Sequence, residues 1–121
     1  MRGVFVTGTD TGVGKTFVTV GLARVLSSQG LRVGVMKPIE TGCARNGDTL
    51  IPSDASLLRS AAGANQDLPS VCPYRFEAPL APDVAARQAG VTINPEVICD
   101  QFRLVARAHD VVLVEGAGGL L

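Results

Sequence analysis

An apolar, β-branched run from Gly3 to Thr7, the glycine-rich stretch GTDTGVGKT directly behind it, and a later apolar run from Val111 to Val114 closed by Glu115 predict the fold class. It is α/β: a P-loop NTPase-like parallel sheet with flanking helices, in one domain over residues 1–121. The usual phosphate-binding pattern asks for a glycine, four free positions and then Gly-Lys-Thr; here Thr9 stands where that first glycine belongs.

Glycine bounds the run Gly3 to Thr7, which reads as a buried strand. From Lys15 to Gln29, the residues Val18, Leu22, Val25 and Leu26 recur at helical spacing and predict a helix with that apolar face, and Gly30 just past its end predicts a C-terminal cap. Leu31 to Met36 is a second apolar run, so residues 1–36 form a strand, loop, helix, strand unit long enough for a right-handed parallel crossover. After Lys37-Pro38 a polar, glycine-containing loop is expected as far as Pro52. A helix should then run from Ser53 or Asp54 to Ala62, with Ser and Asp placed to cap its free amides. Pro69, Pro73, Pro79 and Pro82 make the stretch they span mostly irregular. A short helix is expected at Asp83 to Gln88, and Asn94-Pro95 reads as the N-cap and first-turn proline of a helix to Ala108 with Ile98, Phe102 and Val105 on its apolar face. Val111 to Val114 is the last strand. These strands fall short of the roughly five or more of a doubly wound nucleotide domain, so the expected fold is truncated at its C-terminal side.

A length of 121 residues with 46% hydrophobic content suffices for one modest core and argues against disorder. Lys plus Arg and Asp plus Glu balance at 11 each, which speaks against nucleic acid or a membrane surface as partner. Cys43, Cys72 and Cys99 are widely spaced and never paired as C-x-x-C, so neither a disulfide framework nor a zinc site is indicated, and a cytoplasmic setting is expected. The N-terminal apolar run breaks at Gly8, too soon for a membrane span, and lacks a cleavage-type sequence.

Gly8, Gly12 and Gly14 lie between a predicted strand and a predicted helix that Lys15-Thr16 opens. In that setting successive backbone N–H groups wrap a β-phosphate at the positive helix end, Lys15 bridges β- and γ-oxygens, and the Thr16 hydroxyl is a candidate Mg²⁺ ligand. A glycine-rich turn that merely starts a helix is the competing explanation; the agreement of strand, glycines, Lys-Thr and helix argues against it. Such a site needs a further carboxylate for the metal, and Glu115 ends an apolar strand just before Gly116, Gly118 and Gly119. A strand-ending Glu can equally serve solubility. Asp54 is a second candidate ligand, although its spacing alone favours a plain helix cap. Lys37 follows the second strand at the edge where ligands collect in open α/β sheets; it is either a snorkelling surface residue or a cation aimed at an anionic substrate. Thr41-Gly42 puts a hydroxyl and a turn close by.

The set VTGTDTGVGKT, MKPIETG, SDA, PYRFEAPLAP and VLVEGAGGLL, in this order and along nearly all of the chain, closely resembles the dethiobiotin synthetase family of the biotin pathway. The resemblance implies a homodimeric P-loop enzyme using ATP, Mg²⁺, CO₂ and 7,8-diaminononanoate. It implies that Gly12, Val13, Gly14, Lys15, Thr16 and Phe17 bind the ATP phosphates, with Glu115, Gly116, Ala117 and Gly118 also at the nucleotide. Thr16, Asp54 and Glu115 would hold Mg²⁺, Lys37 and Lys15 would be catalytic, and Thr41 would contact the diamine. Elements gripping the adenine would belong to a C-terminal half. One amine would capture CO₂ as a carbamate, the carbamate would attack the γ-phosphoryl group, and the second amine would close the mixed anhydride to a cyclic urea. Three other possibilities stand beside this one. A switch ATPase of the partitioning and nitrogenase-iron-protein type resembles the loop but commonly has an early Lys where this chain has Asp10. A cobyric-acid-type amide ligase shares the GAGG-like strand end, and an inactive fragment is the last. No role is assigned to the cysteines, Tyr74 or His109, the last expected as an exposed imidazole at a helix end.

Overall fold

The structure, a computed structural model, describes residues 2–6 and 13–116, with side chains from residue 15 onward. The expected loop residues from Thr7 to Gly12, and the expected nucleotide-binding residues Ala117 and Gly118, lie outside the described residues. In chain order the elements are β1 Arg2–Val6, α1 Val13–Ser28, β2 Val33–Met36, β3 Ile39–Glu40, β4 Ala44–Asn46, β5 Thr49–Ile51, α2 Ser53–Ala62, α3 Leu68–Val71, β6 Tyr74–Arg75, α4 Pro82–Ala89, α5 Pro95–Ala108 and β7 Val111–Glu115.

A three-stranded parallel sheet in the order β1-β7-β2 forms the centre, as the α/β expectation requires. Val6 pairs with Glu115 and Met36 with Val114, so the strands end together and whatever follows them collects along one edge. Side chains alternate across the sheet. Val33, Val35, Val111 and Leu113 pack with Val20 and Ala23 of α1 and with Ala55, Leu58 and Ala62 of α2, while Val112 packs on the opposite side with Val105 and Ala106 of α5. Phe102 joins this second cluster, in keeping with the expected apolar face of α5.

The strand β2 begins later than the expected Leu31 because Arg32 is drawn to the start of β7. Its backbone N–H donates to Asp110 Oδ2 at 2.8 Å, and its carbonyl accepts from the Asp110 N–H at 2.8 Å. The outer edge of β2 is covered by side chain and loop. Val35 N–H donates to Gln66 Oε1 at 2.9 Å, Gln66 Nε2 donates to Val35 O at 3.1 Å, and the Lys37 N–H donates to Val71 O at 2.9 Å. On the inner side Gly34 lies so close under α5 that an added Cβ would stand 2.7 Å from Val105 Cγ1 and 2.8 Å from His109 Nδ1. His109 is therefore half-buried over the sheet, with Nδ1 2.7 Å from Val105 O, and not the exposed imidazole expected.

Two further expectations need correction. The helix α1 does not bury the face of Val18, Leu22 and Val25: Val18 and Val25 are 54% and 53% exposed, and the buried side chains are Lys15, Thr16, Thr19, Val20 and Ala23. Apolar residues occur on several sides of this helix, so their period does not select a face, and small residues allow the close approach to the sheet. The segment expected as a loop up to Pro52 contains β3 and the antiparallel hairpin β4–β5, turned at Gly47 with φ +64°. The proline-rich stretch is mostly irregular, as expected, and is interrupted by α3 and by β6, which pairs in parallel with β3 through Ile39 with Tyr74 and Glu40 with Arg75.

Candidate functional site

The strand ends and the start of α1 bring Lys15, Thr16, Lys37 and Glu115 together, and the first turn of α2 adds Asp54. Glu115 is fully buried. Its Oε1 accepts a hydrogen bond from Thr16 Oγ1 at 2.8 Å, and its Oε2 has no hydrogen-bond partner among the described residues. Lys37, also buried, places Nζ 3.7 Å from Glu115 Oε1 and 3.9 Å from Asp54 Oδ2. Its backbone bond to Val71 fixes the stem from which this cation projects. Lys15 is within electrostatic reach of the same group; burial first, and then the Lys37 charge, pull its pKa below the ordinary lysine value.

A buried carboxylate oxygen with no donor costs roughly 1–3 kcal/mol or more. Glu115 Oε2 is therefore a position that a further cation would satisfy. The nearby oxygens, from the Thr16 hydroxyl and the Glu115 and Asp54 carboxylates, are the hard donors that suit Mg²⁺. Among the described residues no group of three or more His, Cys, Asp and Glu is placed to enclose a metal.

The expected cap at the start of α2 is replaced by another arrangement. Pro52 occupies the N-cap position and offers no side-chain acceptor, and neither Ser53 nor Asp54 caps the helix. The acceptor is Glu40, 4% exposed: its Oε2 takes the Asp54 N–H at 3.0 Å and its Oε1 takes the Ala55 N–H at 2.9 Å. Burial pushes the Glu40 carboxyl above its ordinary value, and these two backbone bonds act against that rise. Sequence reasoning missed Glu40. The available signal was Pro52 directly before the helix, because first-turn amides beside a proline N-cap need an acceptor from elsewhere.

The remaining expected residues fall around this cluster. Val13 and Gly14 form the start of α1, and Gly116 follows β7 at the same edge. Phe17 lies one residue past Thr16, with its side chain 77% exposed and outside the cluster. Thr41 is half-buried just after β3, beside Gly42 at φ +69°. A cavity of ≈ 480 Å³ lined by Leu50, Tyr74 and Arg75 among others contains none of these residues.

Residues 2–121 match the family model described as AAA domain, and the chain belongs to this P-loop family. It is homologous to dethiobiotin synthetases. Over 119 residues it is 46% identical to the ATP-dependent dethiobiotin synthetase BioD of Thermodesulfovibrio yellowstonii, which covers 98% of this chain and 50% of that protein. The protein of the same name from Anaeromyxobacter sp. (strain Fw109-5) is 49% identical over 100% of this chain and 52% of its own length. That from Bacillus subtilis (strain 168) is 41% identical over 99% of this chain and 51% of its own. The chain thus spans about half the length of the curated relatives it matches. No helix among the described residues is long and apolar enough to cross a membrane.

Proposed function

We propose that this chain serves the ATP- and Mg²⁺-dependent closure of 7,8-diaminononanoate and CO₂ to dethiobiotin, a ligase reaction of biotin biosynthesis. The observation that carries the proposal is the convergence of Lys37, Asp54, Glu115 and Thr16 at the carboxyl edge of the parallel sheet. The similarity to ATP-dependent dethiobiotin synthetases supports the product and the use of ATP. Thr16, Asp54 and Glu115 would hold Mg²⁺, which when bound offsets charge on the phosphoryl oxygens.

The chain's own residues supply position and charge. Lys15 and the amides at the start of α1 face the phosphates, and anionic oxygens there would offset the burial that depresses the Lys15 pKa. One substrate amine takes up CO₂ and loses a proton to form a carbamate. A carbamate oxygen attacks the γ-phosphorus as the bond to ADP breaks. The second amine attacks the carbamoyl carbon, loses its proton and expels phosphate, closing the ureido ring. Lys37 provides positive charge over the carbamate and the transferring phosphoryl group, and no protein nucleophile is required. Thr41, a short way along the same segment, would contact the diamine. The same proposal carries a homodimer in the cytoplasm.

Lys37→Gln tests this assignment, because it removes the charge and keeps most of the stem. Ureido product formation should fall ~10²-fold or more, the scale for losing one preorganised charge-stabilising group. ATP affinity, measured by calorimetry, should change far less. Unchanged product formation would remove Lys37 from the chemistry, and an equal loss of ATP affinity would make it only a nucleotide contact.

A further inference from the structure

Lys37 and Glu40 lie on one short segment, KPIE, that leaves β2 and forms β3. The segment carries a cation that faces Asp54 and, just after it, a carboxylate that grips the backbone of Asp54. The grip is well anchored. Glu40 pairs with Arg75 in the ladder of β3 and β6, its carbonyl accepts the Phe76 N–H at 2.8 Å, and its carboxylate is buried. Both of its oxygens are committed to the first turn of α2.

An aspartate in the first turn of a helix can bond to its own or neighbouring free amides. Here those amides are already taken, and the Asp54 carboxylate is directed at Lys37, 3.9 Å away. We propose that Glu40 is a positioning residue for the edge cluster: by capping α2 from β3 it releases the Asp54 carboxylate from capping and aims it at the cation site. The proposal rests on Asp54 being a metal ligand, as given above. A carboxylate accepting two N–H groups at the positive end of a helix is a strong, charge-assisted tether, which adds to the core packing of α2 on β2 and fixes the first turn of α2 beside Lys37.

The test is Mn²⁺ binding to the full chain, followed by the electron paramagnetic resonance of the free ion, for wild type, Asp54→Asn, Glu40→Ala and the double variant. Circular dichroism establishes that each is folded at the temperature used. Asp54→Asn and Glu40→Ala should each weaken Mn²⁺ binding by ~10- to 100-fold, the range for losing a support of a metal ligand. The double variant should be no weaker than the poorer single variant within ~3-fold, because both changes act through one carboxylate. A purely structural cap would lower the melting temperature and leave Mn²⁺ binding intact. Weakened binding in Asp54→Asn with unchanged binding in folded Glu40→Ala overturns the positioning role alone, as do additive losses in the double variant. Unchanged binding in Asp54→Asn overturns the metal role of Asp54 and this proposal with it. If Glu40→Ala does not fold, Glu40→Gln, which keeps one acceptor oxygen, is judged by the same criteria.

Discussion

Glu115 combines full burial, a single hydrogen bond from Thr16 and one oxygen without a partner among the described residues, at 3.7 Å from a buried lysine. Such a group is costly unless a ligand completes it. Glu115→Gln and Asp54→Asn should therefore each raise the Mg²⁺ concentration for half-maximal product formation by ~10-fold or more, since each removes an anionic oxygen of the kind Mg²⁺ needs. A magnesium titration of the initial rate decides it, and an unchanged midpoint in both variants would contradict the metal role. At this scale the sequence was informative where function follows an element boundary: Lys15 and Thr16 open a helix, and Lys37 and Glu115 end strands. For Glu40 it signalled, through Pro52, only that an outside acceptor was needed and not which one, because the amide partners lie 14 and 15 residues away and meet it only once β3 has docked.

Elements whose signal is local were legible. The expected start and end of α2 and α5, the proline after Asn94 and the glycine cap after α1 all depend on neighbours within a few residues. The buried face of α1 was not legible, because large apolar residues surround it and the sheet accepts the small ones. The hairpin β4–β5 was missed although Gly47-Asp48 is a standard two-residue turn, since its strands are short, at most half-buried and lack apolar alternation. Gly34 shows the opposite demand, a position that packing reserves for the smallest residue. Gly34→Ala should destabilise the fold by ~1–3 kcal/mol through overpacking against Val105 and His109. Denaturant unfolding measures this, and a variant as stable as wild type would show that α5 shifts away freely.

For the whole molecule, the strand, loop, helix, strand unit announced a parallel sheet, but the placement of β7 between β1 and β2 depends on pairing between distant segments and has no local signature. The thiols report on the integrity of the resulting core. Burial, aided by Glu40, pushes Cys43 up to about 11 and Cys72 up to about 12 from an ordinary 9.0, whereas Cys99 is exposed. Iodoacetamide at pH 8 should label Cys99 in the native protein and reach Cys43 and Cys72 only after denaturation; early labelling of Cys72 would contradict the packing. Because the folded state holds these protons more tightly, their contribution to stability is complete below the ordinary value of 9.0 and is lost as pH rises towards about 12. Unfolding should therefore become easier across that alkaline window, and a melting temperature that stays flat through it would contradict the linkage. The ligase proposal is tested most directly by incubating the full chain with ATP, Mg²⁺, ¹³C-bicarbonate and 7,8-diaminononanoate and following the products by mass spectrometry. The predicted result is a cyclic urea carrying the labelled carbon, formed in step with ADP. ATP hydrolysis without labelled product, stimulated instead by a protein partner, would contradict the ligase and favour a nucleotide-driven switch.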